Sequence, residues 1–399
     1  MKSQTVKRDH RQAGRLALEQ FHSSRYVGGL THGFYRYPAT TSPELVRELL
    51  LSSSGVDDLV MDPFLGGGTT VVEAIAHGRR AIGGDLNSLA VFVSRVKTTP
   101  LSDPEWEGVF AWLEDEPLKS GIAPLEGNRG LKLPRFLSGP VGRALSRARF
   151  LPTARQEAVV RCGLLRMSQW ALESFFLYPR TADNRRNAKP TLDGLSRKLN
   201  SVLVEMRGGM SNLVAAAREH GIRKGEVVSR RRLYKHAAEL VQPTGQLARF
   251  RGKVGLVLTS PPYPTVHVLY HRWQIESRRE TPAPYWIAGQ LDGATLSYYT
   301  MGSRTPFGQR QYFERLERAF SAIRPFLRRD ALVLQVVAFN NAEDQLPRYL
   351  EAMKSAGYRA CHGRSGPTLV RDVPNRRWYA RGKDFDAGRE YLLMHGPVR

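Results

Sequence analysis

One segment constrains the fold of this chain more than any other: an apolar run, a glycine-rich turn, a helical pattern and a second apolar run follow one another directly. Residues 56–61 predict a short buried strand, and residues 69–77 predict a helix closed by Gly78. Residues 81–84 predict a second strand, which ends at Asp85. Two strands joined through a helix form a βαβ unit, whose strands lie parallel in one sheet. The sequence therefore predicts an α/β fold.

Further sheet and helix patterns flank this unit. Ser42, Pro43 and Glu44 combine a capping serine, a proline at the first helical position and an acid in the first turn, which is typical of a helix start. The remaining predicted elements are helices at residues 88–97, 309–327 and 343–355, and strands at residues 226–229, 254–259, 331–337, 358–361 and 390–394. The last two strands suit an antiparallel pair that closes a mostly parallel sheet.

The sequence changes character between these two groups of elements. Glycine and proline interrupt residues 100–152, and long helical patterns follow at residues 154–177 and 192–220 without any strand-like run. This pattern predicts a mostly helical insertion between strands of the sheet. The chain is accordingly divided into a basic tail, a first α/β part, the helical insertion and a second α/β part, at residues 1–25, 26–99, 100–224 and 225–399.

The charge of the chain indicates a polyanionic partner. The sequence has 60 Lys and Arg residues against 37 Asp and Glu residues, which gives a formal charge of +23. Basic clusters recur at residues 230–235, 249–253 and 376–383. Each cluster alone is compatible with an ordinary solvated surface, but together they favour nucleic acid, because solubility does not require so one-sided a charge.

Composition excludes several other classes of protein. Hydrophobic residues make up 41% of the chain and aromatic residues 9%, which is more than a disordered chain of this charge would carry. No apolar run approaches the roughly 18 residues of a membrane span, and the polar N-terminus does not resemble a signal peptide, so we expect a cytoplasmic, nucleoid-associated protein without membrane contact. Only Cys162 and Cys361 are present, which excludes a disulfide framework and a cysteine-rich zinc site, and we predict no metal.

The first chemical motif is the turn of the βαβ unit, DPFLGGGTT at residues 62–70. Its three glycines let the backbone turn tightly and approach a ligand, although a plain tight turn would also explain them. The motif lacks the lysine of a P-loop and a full GxGxxG pattern. Asp85, at the end of the next strand, is placed to accept hydrogen bonds from a ribose diol.

The second motif is Ser260-Pro261-Pro262-Tyr263, directly after the most apolar strand. Ligands of open α/β sheets bind beyond the carboxyl ends of the strands, where this tetrapeptide falls. A serine hydroxyl and a proline carbonyl there are able to accept hydrogen bonds from an exocyclic amine, and the tyrosine ring to stack on a planar base. Taken alone, the tetrapeptide is also compatible with a merely rigid loop.

Together these motifs resemble the signature of the S-adenosylmethionine-dependent DNA amino-methyltransferases, in which DPFxGxGTT holds the cofactor and (S/D/N)PPY holds the target base. THGFYRYPA at residues 31–39 is similar to the THGxHxYPA segment of that family. The resemblance covers residues 30–98 and 225–340. It implies a Rossmann-like methyltransferase sheet, S-adenosylmethionine as cofactor, double-stranded DNA as partner, and a restriction or defence-system partner as a further expectation; it implies nothing about oligomeric state.

The resemblance also implies roles for individual residues. In the first α/β part, the residues implied to line the methionine end of the cofactor are Asp62, Phe64, Gly66 and Gly68, and Thr69 is also implied to bind the cofactor. The resemblance assigns the ribose to Asp85 and the adenine to Leu86. The rest of the cofactor wall is assigned to Thr31, Tyr37 and Pro38. In the second part it assigns the target base to Ser260, Pro261, Pro262 and Tyr263. A serine at the head of this tetrapeptide is the form usually found in enzymes that methylate cytosine N4.

Alternatives remain at this point. DPPY and NPPY are commoner in adenine-N6 enzymes, and the correlation with the base has exceptions. An RNA amino-methyltransferase and a catalytically inactive DNA-binding subunit share the same sheet. A cytosine-C5 enzyme is disfavoured, because it needs a thiolate nucleophile, normally in a Pro-Cys pair, which this sequence lacks. Two regions compete for target recognition: the helical insertion and residues 264–308.

Overall fold

The computed structural model describes residues 29–37, 40–120, 133–175, 190–264, 273–275, 279–290, 301–361, 368–372 and 389–398. The basic tail at residues 1–25, Pro38 and the basic cluster at residues 376–383 lie outside this part of the chain. So do residues 265–272, 276–278 and 291–300 of the recognition candidate at residues 264–308.

A central sheet organises the molecule. Its strands are β1 Leu59–Asp62, β2 Arg80–Asp85, β3 Arg231–Lys235, β4 Val254–Thr259, β7 Leu327–Val337, β8 Tyr358–Ala360, β9 Thr368–Asp372 and β10 Arg389–Pro397; a separate hairpin contains β5 Trp273–Ile275 and β6 Arg279–Thr281. The strand order of the sheet is β3-β2-β1-β4-β7-β10-β8, with β9 paired to β10. The first five strands in this order run parallel, whereas β10 runs antiparallel to β7, β8 and β9. The mostly parallel sheet with antiparallel closing strands is confirmed.

Helices cover both faces of this sheet, as expected for parallel strands joined by crossovers. The helices of the described residues are α1 Pro43–Ser53, α2 Thr69–Ala76, α3 Ser88–Lys97, α4 Asp103–Glu114, α5 Arg135–Ala148, α6 Ala154–Phe175, α7 Leu192–Glu219, α8 Ala283–Ala288, α9 Pro306–Ile323 and α10 Ala342–Ser355. One apolar core lies around α1 to α8, and a second lies between the opposite face of the sheet and the helices α9 and α10.

Two expectations are wrong in detail. The strand expected at residues 226–229 is instead a pair of 3-10 turns, and the edge strand β3 begins at Arg231, inside the basic cluster. Residues 100–152 also contain two helices, α4 and α5, that the glycine and proline pattern did not predict. Helix α4 begins with a capping box in which Ser102 and Glu105 bond reciprocally, and α5 accommodates Pro140 within its length.

The helical insertion packs against the first α/β part and is not detached from it. Helix α7 contacts α2, and α6 contacts α3. The insertion therefore lies behind the two helices that flank the turn at residues 66–68, which we call the glycine turn. Gly209 lets α7 lie directly against the backbone of the N-terminal segment, because a Cβ atom at this position would lie 2.3 Å from the carbonyl oxygen of Leu30. The insertion therefore supports the N-terminal segment at residues 29–37.

Candidate active site

A cavity opens beyond the carboxyl ends of the parallel strands β1, β2, β3 and β4, and it encloses about 1150 Å³ of space that is partly open to solvent. The ends of neighbouring parallel strands meet at one edge of a sheet, so residues distant in sequence converge there. Nine residues singled out from the sequence line this cavity: Tyr37, Asp62, Phe64, Gly66, Thr69, Asp85, Leu86, Ser260 and Pro262.

Four other candidates in the described part of the chain do not appear on the cavity wall. Thr31 is fully buried, and Gly68 forms the N-cap of α2. Pro261 is buried, and the Tyr263 hydroxyl donates to Oε1 of Glu390 at 3.4 Å. The roles assigned to these four residues, like those assigned to the nine residues that line the cavity, stay predictions.

The glycine turn is shaped by packing as well as by the cavity. Gly66 and Gly68 have φ angles of +48° and +79°, in the left-handed region that favours glycine. A Cβ atom on Gly68 would lie 2.4 Å from Oγ of Ser94 on α3, and one on Gly67 would lie 3.1 Å from Cβ of Tyr37. Gly68 therefore allows α3 to approach, whereas Gly66 and Gly67 form part of the cavity wall.

Asp85 connects the end of β2 to the glycine turn. Its Oδ2 accepts the Gly66 N–H and its Oδ1 accepts the Asn87 N–H, each at 2.8 Å. Burial raises the pKa of Asp85 to about 6, although these backbone hydrogen bonds oppose the shift. Backbone donors occupy some but not all of the roughly four acceptor sites of a carboxylate, so this half-buried group is able to accept further hydrogen bonds from a ligand in the cavity.

Asp62 lies deeper in the same cavity, at the end of β1. It accepts a hydrogen bond of 2.6 Å from the Thr259 hydroxyl and one of 3.2 Å from the Phe64 N–H. Burial raises the pKa of Asp62 to about 6, against the opposing effect of its hydroxyl and backbone donors. Two carboxyl groups therefore face one cavity, and both are less acidic than usual.

Ser260 follows β4, which pairs with β1 on the side opposite to β2 and Asp85. Its hydroxyl donates to the carbonyl oxygen of Val336 on β7 at 2.9 Å. Because a carbonyl oxygen only accepts, this bond commits the Ser260 proton and leaves its oxygen lone pairs as acceptors. The next residues are held as well, since the Tyr312 hydroxyl of α9 donates to the Pro262 carbonyl at 2.7 Å.

Asn87 has a positioning role that the sequence did not reveal. Its side-chain N–H donates to the Tyr37 hydroxyl at 2.9 Å, and its Oδ1 accepts the Tyr285 hydroxyl at 2.8 Å and the Leu89 N–H at 3.0 Å. This amide therefore joins the N-terminal segment, the loop after β2 and α8. The available signal was the position of Asn87 before α3, which predicts a helix cap but not these tertiary contacts.

Lys97 was also missed, because the sequence places it where an exposed lysine is usual, in the last turn of a helix. The structure buries it, and its Nζ donates to the carbonyl oxygen of Gly67 at 2.8 Å. Burial lowers the pKa of Lys97 to about 8. The glycine turn is thus held from behind by a buried amine.

The wall of the cavity beyond β3 was overlooked because the strand was expected too early in the chain. Residues 237–239 follow the observed strand and line the cavity, together with Met301 and with Arg315 of α9.

A buried charged cluster fastens the N-terminal segment to α2. Glu73 accepts His32 Nε2 at 2.7 Å and Arg47 Nε at 3.0 Å, and its own side chain is fully buried. Burial alone would raise the pKa of Glu73, but the hydrogen bonds from His32 and Arg47 hold it below its ordinary value. Burial lowers the pKa of His32, against the effect of Glu73.

Both cysteines of the chain carry thiols that are less acidic than usual. Cys162 is buried in α6 and its pKa is raised to about 12 by burial, and burial also raises the pKa of Cys361. Within the described ranges, no group of three or more His, Cys, Asp and Glu side chains is arranged to hold a metal ion. Over the same ranges, no helix is both long enough and apolar enough to cross a membrane.

Comparison with known proteins adds independent findings. Residues 3–92 match the model of the DNA methylase family N6_N4_Mtase. The type II methyltransferase M.MvaI of Kocuria varians is 35% identical over 111 residues, which are 27% of this chain and 24% of that protein. The DNA adenine methyltransferase YhdJ of Escherichia coli K12 is 46% identical over 55 residues, which are 14% of this chain and 19% of that protein.

The type II methyltransferase M.MjaII of Methanocaldococcus jannaschii is 35% identical over 66 residues, which are 16% of this chain and 12% of that protein. Each alignment therefore spans less than a quarter of the curated relative. A solved geranyl diphosphate methyltransferase, in complex with geranyl diphosphate and sinefungin, superposes over 98% of this chain and 95% of its own, with a TM-score of 0.32 and 11% sequence identity. The N-terminal part of this chain, which carries the glycine turn and Asp85, is thus similar to the DNA methylase family N6_N4_Mtase.

Proposed function

We propose that this chain is an S-adenosylmethionine-dependent DNA methyltransferase that transfers a methyl group to the exocyclic N4 of cytosine in a flipped-out base. One observation carries the proposal: Ser260 and Pro262 line the same cavity as Asp62 and Asp85. A cofactor held by the two acids would therefore lie beside a base held by the tetrapeptide at residues 260–263, which we call the serine-proline motif. The similarity of residues 3–92 to DNA methylases supports the same reading.

The residues of the cavity fit S-adenosylmethionine. Asp85 retains lone pairs for the two ribose hydroxyls, and Leu86 next to it offers an exposed apolar side chain for the adenine. Gly66 and Gly67 leave the wall without side chains where the ligand would approach the backbone. Asp62 would face the ammonium group of the methionine end, whose positive charge would favour the ionised carboxylate.

The bound cofactor would supply an electrophilic methyl group, and the residues of this chain would orient the nitrogen that receives it. An exocyclic amine is conjugated with its ring and is a weak nucleophile. The Ser260 oxygen is an acceptor because its proton is committed to Val336. Accepting an N–H from the amine would draw the nitrogen towards tetrahedral geometry and free its lone pair for in-line attack. Orientation, rather than a strong base, would supply most of the rate enhancement.

The base must leave the duplex to reach this cavity, at a cost of about a few kcal/mol. Adenine N6 is the second candidate target, favoured by the 46% identity over 55 residues to a protein named as a DNA adenine methyltransferase. Both reactions use an exocyclic amine and the same acceptor. The serine at position 260 is the feature that leads us to propose cytosine.

The product is the sharpest test of this proposal. DNA treated with the protein and S-adenosylmethionine should yield N4-methylcytosine when it is digested to nucleosides and analysed by mass spectrometry. Ser260→Ala should lower kcat about fivefold to 150-fold, because an unsatisfied buried donor costs about 1–3 kcal/mol. Ser201→Ala, which changes an exposed serine of α7, should leave kcat unchanged.

Three outcomes would count against parts of this proposal. N6-methyladenine would replace the target base but retain the amine mechanism. Recovery of 5-methylcytosine would exclude both the cytosine-N4 target and the amine mechanism. Full activity of the Ser260→Ala variant would remove the acceptor role from that residue.

Binding of duplex DNA should depend strongly on salt, because the chain carries a formal charge of +23. If about six phosphates are neutralised, the logarithm of the affinity should fall against the logarithm of salt concentration with a slope of roughly −5. Fluorescence anisotropy at several salt concentrations measures this slope. A flat response, or tighter binding of structured RNA than of duplex DNA, would favour an RNA substrate.

A further inference from the structure

A buried ammonium group lies directly behind the glycine turn. Lys97 is the last residue of α3 and is only 2% exposed, and its Nζ donates to the carbonyl oxygen of Gly67 at 2.8 Å. Gly67 lines the cavity, whereas Lys97 is not part of the cavity wall. The amine therefore contacts the proposed cofactor site from its outer side, and it acts on a ligand only through the turn.

The positive charge of Lys97 has no carboxylate partner in the part of the chain that the structure describes. Glu73 on the neighbouring helix α2 bonds to His32 and Arg47 instead. Cys162 of α6 and His32 are the described groups whose charges interact with that of Lys97. Burial raises the pKa of the Cys162 thiol to about 12 and lowers the pKa of His32, so neither group supplies a negative charge at neutral pH.

A charge in this position is costly for folding. Burial lowers the pKa of Lys97 to about 8, which leaves most of the amine protonated at pH 7. A buried charge without an ionic partner costs free energy, whereas a methionine of similar length would fill the same space without that cost. A basic residue does favour the end of a helix, but an exposed lysine would have the same effect there. The burial of the charge against the glycine turn therefore needs another explanation.

The charges on the cavity side indicate that explanation. Asp62 and Asp85 both line the cavity, and both repel an anionic group of a ligand when they are ionised. S-adenosylmethionine carries a carboxylate beside the ammonium group that Asp62 would face, so this carboxylate would lie near the glycine turn. Lys97 is the cation behind that turn. Arg315 also lines the cavity, but it belongs to α9, which packs on the opposite face of the sheet from α2.

We propose that the Lys97 ammonium compensates the carboxylate of the bound cofactor through the glycine turn, and so selects S-adenosylmethionine with an intact amino-acid end. This inference rests on the proposed function, because it requires S-adenosylmethionine in the cavity. Lys97 is a positioning residue, since Gly67 separates it from the ligand. Its hydrogen bond holds the Gly67 carbonyl oxygen away from the cavity, and its charge offsets the repulsion by the two acids.

The test compares two ligands by calorimetric titration. Decarboxylated S-adenosylmethionine keeps the sulfonium and the amine of the cofactor but lacks its carboxylate. For Lys97→Met we expect the affinity for S-adenosylmethionine to fall about tenfold, a size that buried charges reach across a few ångströms of protein. The affinity for the decarboxylated ligand should not fall. A merely structural role of Lys97 would lower both affinities by the same factor.

Two further variants separate charge from hydrogen bonding and from helix position. Lys97→Gln offers an N–H donor to Gly67 but carries no charge, so it should show the same carboxylate-specific loss as Lys97→Met. Lys354→Met is the matched control. Lys354 also lies in the last turn of a helix, α10, but it is exposed and pairs with Glu351. Its replacement should leave both affinities unchanged.

The pH dependence gives a second readout. A bound carboxylate favours the charged form of the amine, so binding should raise the pKa of Lys97, and the affinity of the wild type should fall as the pH rises above about 8. The α-amino group of the cofactor also titrates near this pH. Because both proteins bind the same cofactor, the difference between the wild type and Lys97→Met isolates the lysine, and the variant should depend less on pH.

The outcomes distinguish this inference from the proposed function. Equal losses for the two ligands, full affinity of Lys97→Gln for S-adenosylmethionine, or the same alkaline pH dependence in Lys97→Met and the wild type would overturn the role of Lys97 while cofactor binding stands. Failure of the wild-type protein to bind S-adenosylmethionine would overturn the proposed function, and this inference with it.

Discussion

Replacing Glu73 with alanine should lower the free energy of unfolding by about 1.5–3 kcal/mol, the usual contribution of hydrogen bonds to a charged group. Glu73 is fully buried and accepts hydrogen bonds from His32 at 2.7 Å and from Arg47 at 3.0 Å. Without it, the partly exposed Arg47 guanidinium and the buried His32 imidazole lose the carboxylate that accepts from both. The N-terminal segment would then lose its main polar attachment to α2.

Denaturant unfolding of the full chain measures this effect. Glu73→Gln should cost less than Glu73→Ala, because the amide oxygen still accepts one hydrogen bond. Glu351→Ala is the control, since Glu351 is an exposed partner of Lys354 at 3.4 Å, and exposed pairs contribute about 0–1 kcal/mol. A loss for Glu73→Ala no larger than that for Glu351→Ala would show that the buried cluster contributes little to stability.

Replacing Asp85 with alanine should weaken binding of S-adenosylmethionine by about 1.5–3 kcal/mol, roughly 10-fold to 150-fold, which is typical for hydrogen bonds to a charged group. The carboxylate is the only proposed partner of the ribose, and it also holds the glycine turn through the Gly66 N–H. Calorimetric titration measures the affinity. Asp330→Ala, which changes an exposed carboxylate near the start of β7, should leave the affinity unchanged.

The same interaction should depend on pH. Burial raises the pKa values of Asp85 and Asp62 to about 6, so both carboxylates lose their charge as the pH falls below 6. Affinity should decrease by about tenfold per pH unit for each group that must be ionised. Asp85→Asn should show a weaker pH dependence than the wild type. Equal dependence in both proteins would contradict the assignment of Asp85 to the ribose.

A fall in pH has the opposite effect on folding stability: it weakens cofactor binding but stabilises the folded chain at these two carboxyl groups. The pKa values of Asp62 and Asp85 in the folded chain lie above the ordinary value of an aspartate, 3.8, so the folded chain binds more protons than the unfolded chain between about pH 4 and 6. The stabilisation is complete below this window and is lost as the pH rises through 6. Low pH should therefore stabilise these two positions while it weakens cofactor binding.

The sequence predicted the central strands better than the edge strand. Val254–Thr259 was predicted with its observed bounds, because a strand buried on both faces is a continuous apolar run. Strand β3 was misplaced, because it lies at the edge of the sheet and consists largely of basic residues. Charged side chains are common on edge strands, and there they conceal the alternation that would identify a strand.

In the candidate site, too, some residues were predictable from the sequence and others were not. Residues at strand ends, such as Asp62, Asp85 and Ser260, were predictable because parallel topology brings such ends together. The contacts of Asn87 and Lys97 were not predictable, since each depends on which helix packs behind the glycine turn. The local sequence predicts a helix cap at Asn87 and a solvated charge at Lys97. The contacts that differ from these predictions form only when the helices pack against the sheet.

The packing of the helical insertion has a consequence for how this protein can evolve. The insertion leaves β2 and returns to its neighbour β3, a connection at which a module could be exchanged without disturbing strand order. Yet α6 and α7 contact α3 and α2, the helices that flank the glycine turn. Recombination that replaced the insertion as a block would thus alter the cofactor side of the molecule. We expect variation among descendants of this chain to accumulate by point substitution on the outer helix faces, with the inner faces inherited together with the sheet.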